Sequence, residues 1–288
     1  MTQCERPNDD SGACRPGGTG QTADMPTLAQ QMSRVERVIG VMSGKGGVGK
    51  SLVTGLLASA MQQTGWAVGI LDGDLTGPSI PQMLGLRGQA EASEIGLFPM
   101  ATPTGIRVMS INLLLARPDD PVIWRGPILA GAIGQFWKEV VWGDLELLVV
   151  DLPPGTADIP LTVMQSLPLD GLVVVCSPQD LAAMVVRKAI RMAGALEVRV
   201  VGLVENMTHL ICPHCGERVE LFGAGRGPNA AQIAGTPVLA SIPVDPVLSE
   251  LCDRGQLESY PRNPFLGRAD ALKDVFSQTR RYKVTTKR

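Results

Sequence analysis

The sequence predicts an α/β fold: a doubly wound, mostly parallel sheet with helices on both faces, in three α/β/α layers. Three observations predict it. Apolar, β-rich runs alternate along the chain with segments of helical spacing, the pattern of repeated βαβ units. The runs are apolar at consecutive positions, as strands covered on both faces are. One glycine-rich stretch, Gly44 to Ser51, lies directly between an apolar run and a helical one, where a fold of this kind places its ligand loop.

In chain order, residues 1–30 are rich in Gly, Pro, Asp, Thr and Gln with almost no apolar periodicity. Such a segment buries too little surface to offset the entropy of ordering it. It reads as a flexible tail, and residues 31–288 read as one domain. Strands are expected at Arg37 to Met42, Ala67 to Leu71, Ile106 to Met109, Leu145 to Val150, Gly171 to Cys176, Val198 to Val204 and Pro237 to Ile242. Between them, Ser51 to Gln63, Pro127 to Val140, Asp180 to Ala193, Pro228 to Ala234 and Pro246 to Arg254 carry helical spacing or helix-start signals. Phe265 to Tyr282 closes the chain as a helix with basic residues at its negative end.

Composition narrows the function classes. A chain of 288 residues, 44% of them apolar, can build one large core. Its net charge of −2 offers no general field for nucleic acid or anionic lipid, so neither is expected as a partner. No run of about 18 apolar residues occurs, and the opening MTQCERPNDD lacks a signal-peptide layout; a cytoplasmic location is expected. Six cysteines are too few for a disulfide scaffold. The only two histidines in the sequence, His209 and His214, both lie beside one cysteine pair, which leaves none for a Ser or Cys nucleophile elsewhere.

The strongest motif is G-x-x-x-x-G-K-[ST], met by Gly44, Gly49, Lys50 and Ser51 in the stretch GKGGVGKS. Glycines at Gly44, Gly46, Gly47 and Gly49 let backbone N–H groups, with that of Val48, turn inward around phosphate oxygens. Lys50 reaches the outer phosphates, and Ser51 ligates Mg²⁺. Asp72 and Asp74 follow the second strand, and Asp151 ends the Leu145 to Val150 run. Carboxylates at those strand ends would face the phosphates and support Mg²⁺ and its waters.

The loop carries a second lysine, Lys45, directly after its first glycine. This resembles the deviant Walker A loop of the MinD/ParA/nitrogenase-iron-protein ATPases, the SIMIBI class. Within that group, SGKGGVGKS, LDGDLTGPSIPQMLG, VVDLPPGTAD and VENMTHLICPHCGE resemble the Mrp/ApbC-type iron–sulfur cluster carriers, over roughly Val38 to Asp253. The resemblance implies a homodimeric ATPase using ATP and Mg²⁺, with Lys45 reaching the partner's nucleotide and Asp74 orienting the attacking water. It further implies that Asp72 and Asp151 support the metal, Gly155 senses the γ-phosphate and Asn206 contacts adenine.

Cys212-Pro213-His214-Cys215 forms a knuckle within residues 209–222. A lone CxxC supplies two of the four ligands that a zinc or [4Fe–4S] site needs. The same pair from a second subunit, His209 or His214, or Cys4 and Cys14 of the tail could complete it. The resemblance implies the first: a [4Fe–4S] cluster bridged between protomers by Cys212 and Cys215, then passed to apo-protein clients. Cys4 and Cys14 depart from the four-cysteine N-terminal motif of some relatives. The alternative is a MinD/ParA-like positioning switch with a structural zinc knuckle, whose surface element would be Arg280, Arg281, Lys283, Lys287 and Arg288.

Overall fold

The computed structural model describes residues 26–74, 79–115, 126–156, 158–178, 182–222 and 235–279. The chain enters through a short helix α1 (Leu28–Gln31) and strand β1 (Arg34–Val35). The sheet strands are β2 (Val38–Ser43), β3 (Val68–Asp72), β4 (Met100–Ala101), β5 (Arg107–Met109), β7 (Leu147–Asp151), β8 (Gly171–Cys176), β9 (Val200–Ile211), β10 (Arg218–Val219) and β11 (Val238–Val244). The short β6 (Asp144–Leu145) pairs with β1 instead. Helices α2 (Lys50–Gln63), α3 (Ile80–Met83), α4 (Gly126–Glu139), α5 (Asp158–Ser166), α6 (Ala182–Ala195), α7 (Pro246–Asp253) and α8 (Ala269–Ser277) connect and cover them.

Strand order is β10-β9-β8-β2-β7-β3-β5-β4, with β11 on β9. All pairs from β5 across to β11 are parallel, while β4 and β10 are antiparallel edges. Every residue of β2, β3 and β7 is buried, which is why these runs read as continuously apolar. Two cores follow from the two faces. Leu56 and Leu57 of α2 join Ile70, Val149, Phe265 and Phe276 on one side. Ile133 and Phe136 of α4 join Leu148, Val150, Val163 and Val186 on the other. The crossover from β2 runs past β7 to β3, whereas that from β7 runs past β2 to β8, so the crevice for a ligand opens at the carboxyl ends of β2 and β7.

Several boundaries differ from the expected ones. The folded part includes α1, where Thr27 and Gln30 make a reciprocal capping box and Ala29 is buried; residues 1–25, with Cys4 and Cys14, lie outside the described residues. Helix α5 is not among the expected elements; Pro160 stands in its first turn, where proline is tolerated. The closing helix ends at Ser277; its expected basic end, Arg280 onward, lies outside the described residues, as does Pro228 to Ala234. The largest difference is β9, which runs seven residues past Val204 to Ile211.

Candidate nucleotide site and cysteine hairpin

Strand β2 ends at Ser43, whose hydroxyl donates to the Lys45 carbonyl at 3.0 Å and turns the chain into the loop. Gly49 precedes α2 at φ 84°, a left-handed conformation that favours glycine. Gly46 and Gly47 are exposed, and a Cβ added at either would meet nothing within 4 Å. The loop is thus an open cradle at the start of a 14-residue helix, with main-chain donors and a positive dipole end suited to phosphate.

Behind the cradle sits a network of one ammonium and three carboxylates. Lys50, 5% exposed, places Nζ 2.8 Å from Asp151 Oδ1 and 3.3 Å from Asp74 Oδ2. Ser51 Oγ donates to Asp151 Oδ2 at 2.5 Å, and Thr54 Oγ1 donates to Asp151 Oδ1 at 3.1 Å. Asp72 and Asp151 are neighbours across β3 and β7. Asp72 accepts from Ser110 Oγ at 3.0 Å and from the Asp74 N–H at 3.2 Å. Gly73 donates its N–H to the Asp151 carbonyl at 2.8 Å, and a Cβ there would stand 2.8 Å from that oxygen. Only glycine lets the two strand ends approach so closely. Hard oxygens from Ser51, Asp72 and Asp151 on one side of the cradle suit Mg²⁺.

Sequence reasoning found the three aspartates but missed Ser43, Thr54 and Ser110. Ser43 and Thr54 flank the motif or lie one helical turn into α2, whereas Ser110 comes from a distant strand end with no local signal. Of the other expected residues, Gly155 donates its N–H to the Ser43 carbonyl at 2.9 Å. Lys45 lies partly exposed at the loop tip. Asn206, 2% exposed, donates its amide to the Val48 carbonyl at 2.9 Å.

Burial raises the Asp72 carboxyl to about 8, with the neighbouring Asp151 pushing the same way against Lys50 and Ser110. Asp151 is also raised, first by burial and against the pull of Lys50. A folded carboxyl above its unfolded value of 3.8 contributes stability that is fully present below about pH 4 and is lost as pH rises to about 8. The nucleotide-free, metal-free protein is therefore expected to melt at lower temperature at pH 9 than at pH 6.5. Asp72→Asn should melt above the wild type at pH 9 and show a smaller change between the two values. Parallel pH profiles for the two proteins would remove Asp72 as the cause.

Residues Cys212 to Glu217 make a tight hairpin between β9 and β10. The Cys212 N–H donates to the Glu217 carbonyl and the Gly216 N–H to the Cys212 carbonyl, both at 2.9 Å. Gly216 takes φ 75°. The N–H groups of Cys215 and then His214 hold the Cys212 thiol below its usual range, helped by the Cys215 thiol. Ile211, Val219, Leu221 and Phe222 around the hairpin are all exposed. Among the described residues, no group of three or more His, Cys, Asp or Glu side chains is placed to hold a metal, so neither His209 nor His214 completes the pair there. Among the described residues, no helix is long and apolar enough to cross a membrane.

Comparison with known proteins agrees with this architecture. The family of ParA-type NUBPL iron-transfer P-loop NTPases matches residues 34–278. An iron–sulfur cluster carrier protein of Methanocaldococcus jannaschii is 46% identical over 230 residues, 79% of each chain. One from Clostridium perfringens is 40% identical over 265 residues, 89% of this chain and 93% of that one. A nucleotide-binding protein of Archaeoglobus fulgidus, solved in complex with ADP, aligns with a TM-score of 0.73 at 46% identity, over 80% of this chain and 91% of that one. The Pyrococcus furiosus cell-division ATPase MinD shares the fold at 19% identity and TM-score 0.60, over 83% and 99% of the chains. With the family matched over residues 34–278 and relatives 40–46% identical over most of their length, the chain belongs to the NUBPL iron-transfer P-loop NTPase family.

Proposed function

We propose that this protein is an ATP-dependent iron–sulfur cluster carrier, which assembles a [4Fe–4S] cluster on Cys212 and Cys215 across a homodimer and delivers it to apo-proteins. The observation that carries this reading is the hairpin itself: two cysteines on one exposed turn, with no third ligand beside them among the described residues. A two-fold axis through that turn supplies four thiolates, since an isologous contact doubles any patch on its axis. The apolar side chains of Ile211, Val219, Leu221 and Phe222 are suited to such a contact. The curated relatives are named as cluster carriers over most of their length.

In the nucleotide site, Lys50 and the P-loop N–H groups bind the phosphates, while Ser51, Asp72 and Asp151 would hold Mg²⁺ by hard oxygens. The metal would neutralise charge on the phosphate oxygens. Asp74 would orient water, Gly155 would meet the γ-phosphate and Asn206 would lie beside adenine. Lys45 would act across the dimer. Substituting Lys45 by Ala should therefore leave ADP affinity within about threefold of wild type but reduce ATP turnover at least about tenfold. Turnover preserved in that variant would remove the cross-dimer role.

Anaerobic reconstitution with iron and sulfide, followed by metal, sulfide and mass analysis, tests the function directly. A cubane shared by two chains requires about four iron and four sulfide per dimer. Tightly held zinc with no iron uptake would instead make the hairpin structural and favour the positioning-switch reading.

A further inference from the structure

Strand β9 touches both sites. At Asn206 the buried side-chain amide donates to the P-loop carbonyl of Val48, and its oxygen accepts from the Met207 N–H at 2.9 Å. The fit is close, because a Cβ on Gly49 would stand 2.1 Å from Asn206 Nδ2. Met207 then takes φ 60°, a left-handed conformation that is strained for a non-glycine residue and persists only where its surroundings hold it.

The sheet ladder slips at the same point. Ile242 of β11 pairs with Asn206, yet Val244, two residues on, pairs with Leu210, four residues on. The Thr208 hydroxyl spans the irregularity by donating to the Ile242 carbonyl at 3.1 Å. Beyond it Leu210 and Ile211 pair with β10, and Cys212 follows. Cys212 lies six positions after Asn206, at most roughly 20 Å along the chain.

We propose that the Asn206–Met207 turn is a mechanical link between the nucleotide-binding loop and the cysteine hairpin, so that nucleotide on the loop sets the geometry of Cys212 and Cys215. The link rests on the functional reading of both sites given above. If Val48 moves when phosphate enters the cradle, Asn206 must either follow or leave a buried amide without its acceptor, which is unfavourable. If Asn206 follows, the strained Met207 turn and the bulge are where β9 can shift without unzipping from β8. Asn206 and Met207 are positioning residues in this scheme: they touch no cluster atom and act through the strand.

The test uses the reduced, full-length protein without cluster. Alkylation of Cys212 by iodoacetamide is followed by peptide mass spectrometry, with and without MgADP at concentrations saturating by titration. In wild type, MgADP is expected to change the Cys212 rate at least about fivefold, the lower end of ordinary site–site coupling. Met207→Gly keeps the Asn206–Val48 bond, so it should bind MgADP within about twofold of wild type while losing most of the response. Asn206→Ala, assayed at its own saturating MgADP, should lose it as well. A Cys212 rate that MgADP leaves unmoved in wild type, or a full response in either variant, overturns the link. Iron uptake is scored separately: a protein that shows the thiol response but takes up no iron refutes the cluster-carrier reading and leaves the link standing.

Discussion

Lys50→Met is expected to lower MgADP and MgATP affinity at least about a hundredfold, because it removes a charge-assisted contact worth about 3 kcal/mol at the phosphates. The same change should also lower the melting temperature of the nucleotide-free protein. Lys50 is buried, and burial alone would lower its ammonium pKa, yet Asp151, Asp74 and Asp72 together raise it above the usual lysine range. It stays charged, and Lys50→Met leaves Asp151, 0% exposed, without the ammonium that stands 2.8 Å from its Oδ1. Breaking a buried pair by removing one member typically costs 3–5 kcal/mol, to order of magnitude. Lys50→Met combined with Asp151→Asn should recover much of that stability and none of the nucleotide affinity. Calorimetric titration and thermal melting of the two variants separate these effects. Wild-type affinity in Lys50→Met would overturn the phosphate-binding assignment.

The stability part of that prediction depends on contacts that no local pattern announces. The loop was legible because its chemistry is local: GKGGVGKS directly follows β2 and opens α2. The aspartates were legible because strand carboxyl ends face the ligand in a doubly wound sheet. Ser110 on Asp72 was not, since the pair is 38 residues apart and meets only because β5 lies beside β3. Strand β9 was cut short for a related reason. Glu205, Asn206 and Thr208 interrupt an apolar run, and polar residues in a buried strand read as its end. They remain in the strand, buried, with Asn206 bonded to the P-loop and Thr208 to β11. Helix α1 carried its signal in Thr27-x-x-Gln30, a capping box, but four residues between polar neighbours give no periodicity to detect.

Cys212→Ala is expected to abolish cluster assembly and leave the nucleotide site working. The hairpin aims the N–H groups of Cys215 and His214 at the Cys212 sulfur and holds its thiol below the usual range. That favours the thiolate, the form that binds iron. Removing it leaves one protein ligand per chain and two per dimer, half of what a cubane needs. Changes to groups that merely support a ligand lower metal affinity by about 10- to 100-fold, so loss of the ligand should bring iron retention below about a tenth of wild type. The substituted residue lies at the end of β9, away from the P-loop, so MgADP affinity should stay within about twofold. Cys252→Ala is the control, because burial raises that thiol to about 11, where it is a poor metal ligand at neutral pH. Cys176 is raised further, to about 12, in the interior of the sheet. If Cys212→Ala keeps its iron while Cys252→Ala also does, the cluster is held elsewhere, and Cys4 and Cys14 become the cysteines to substitute.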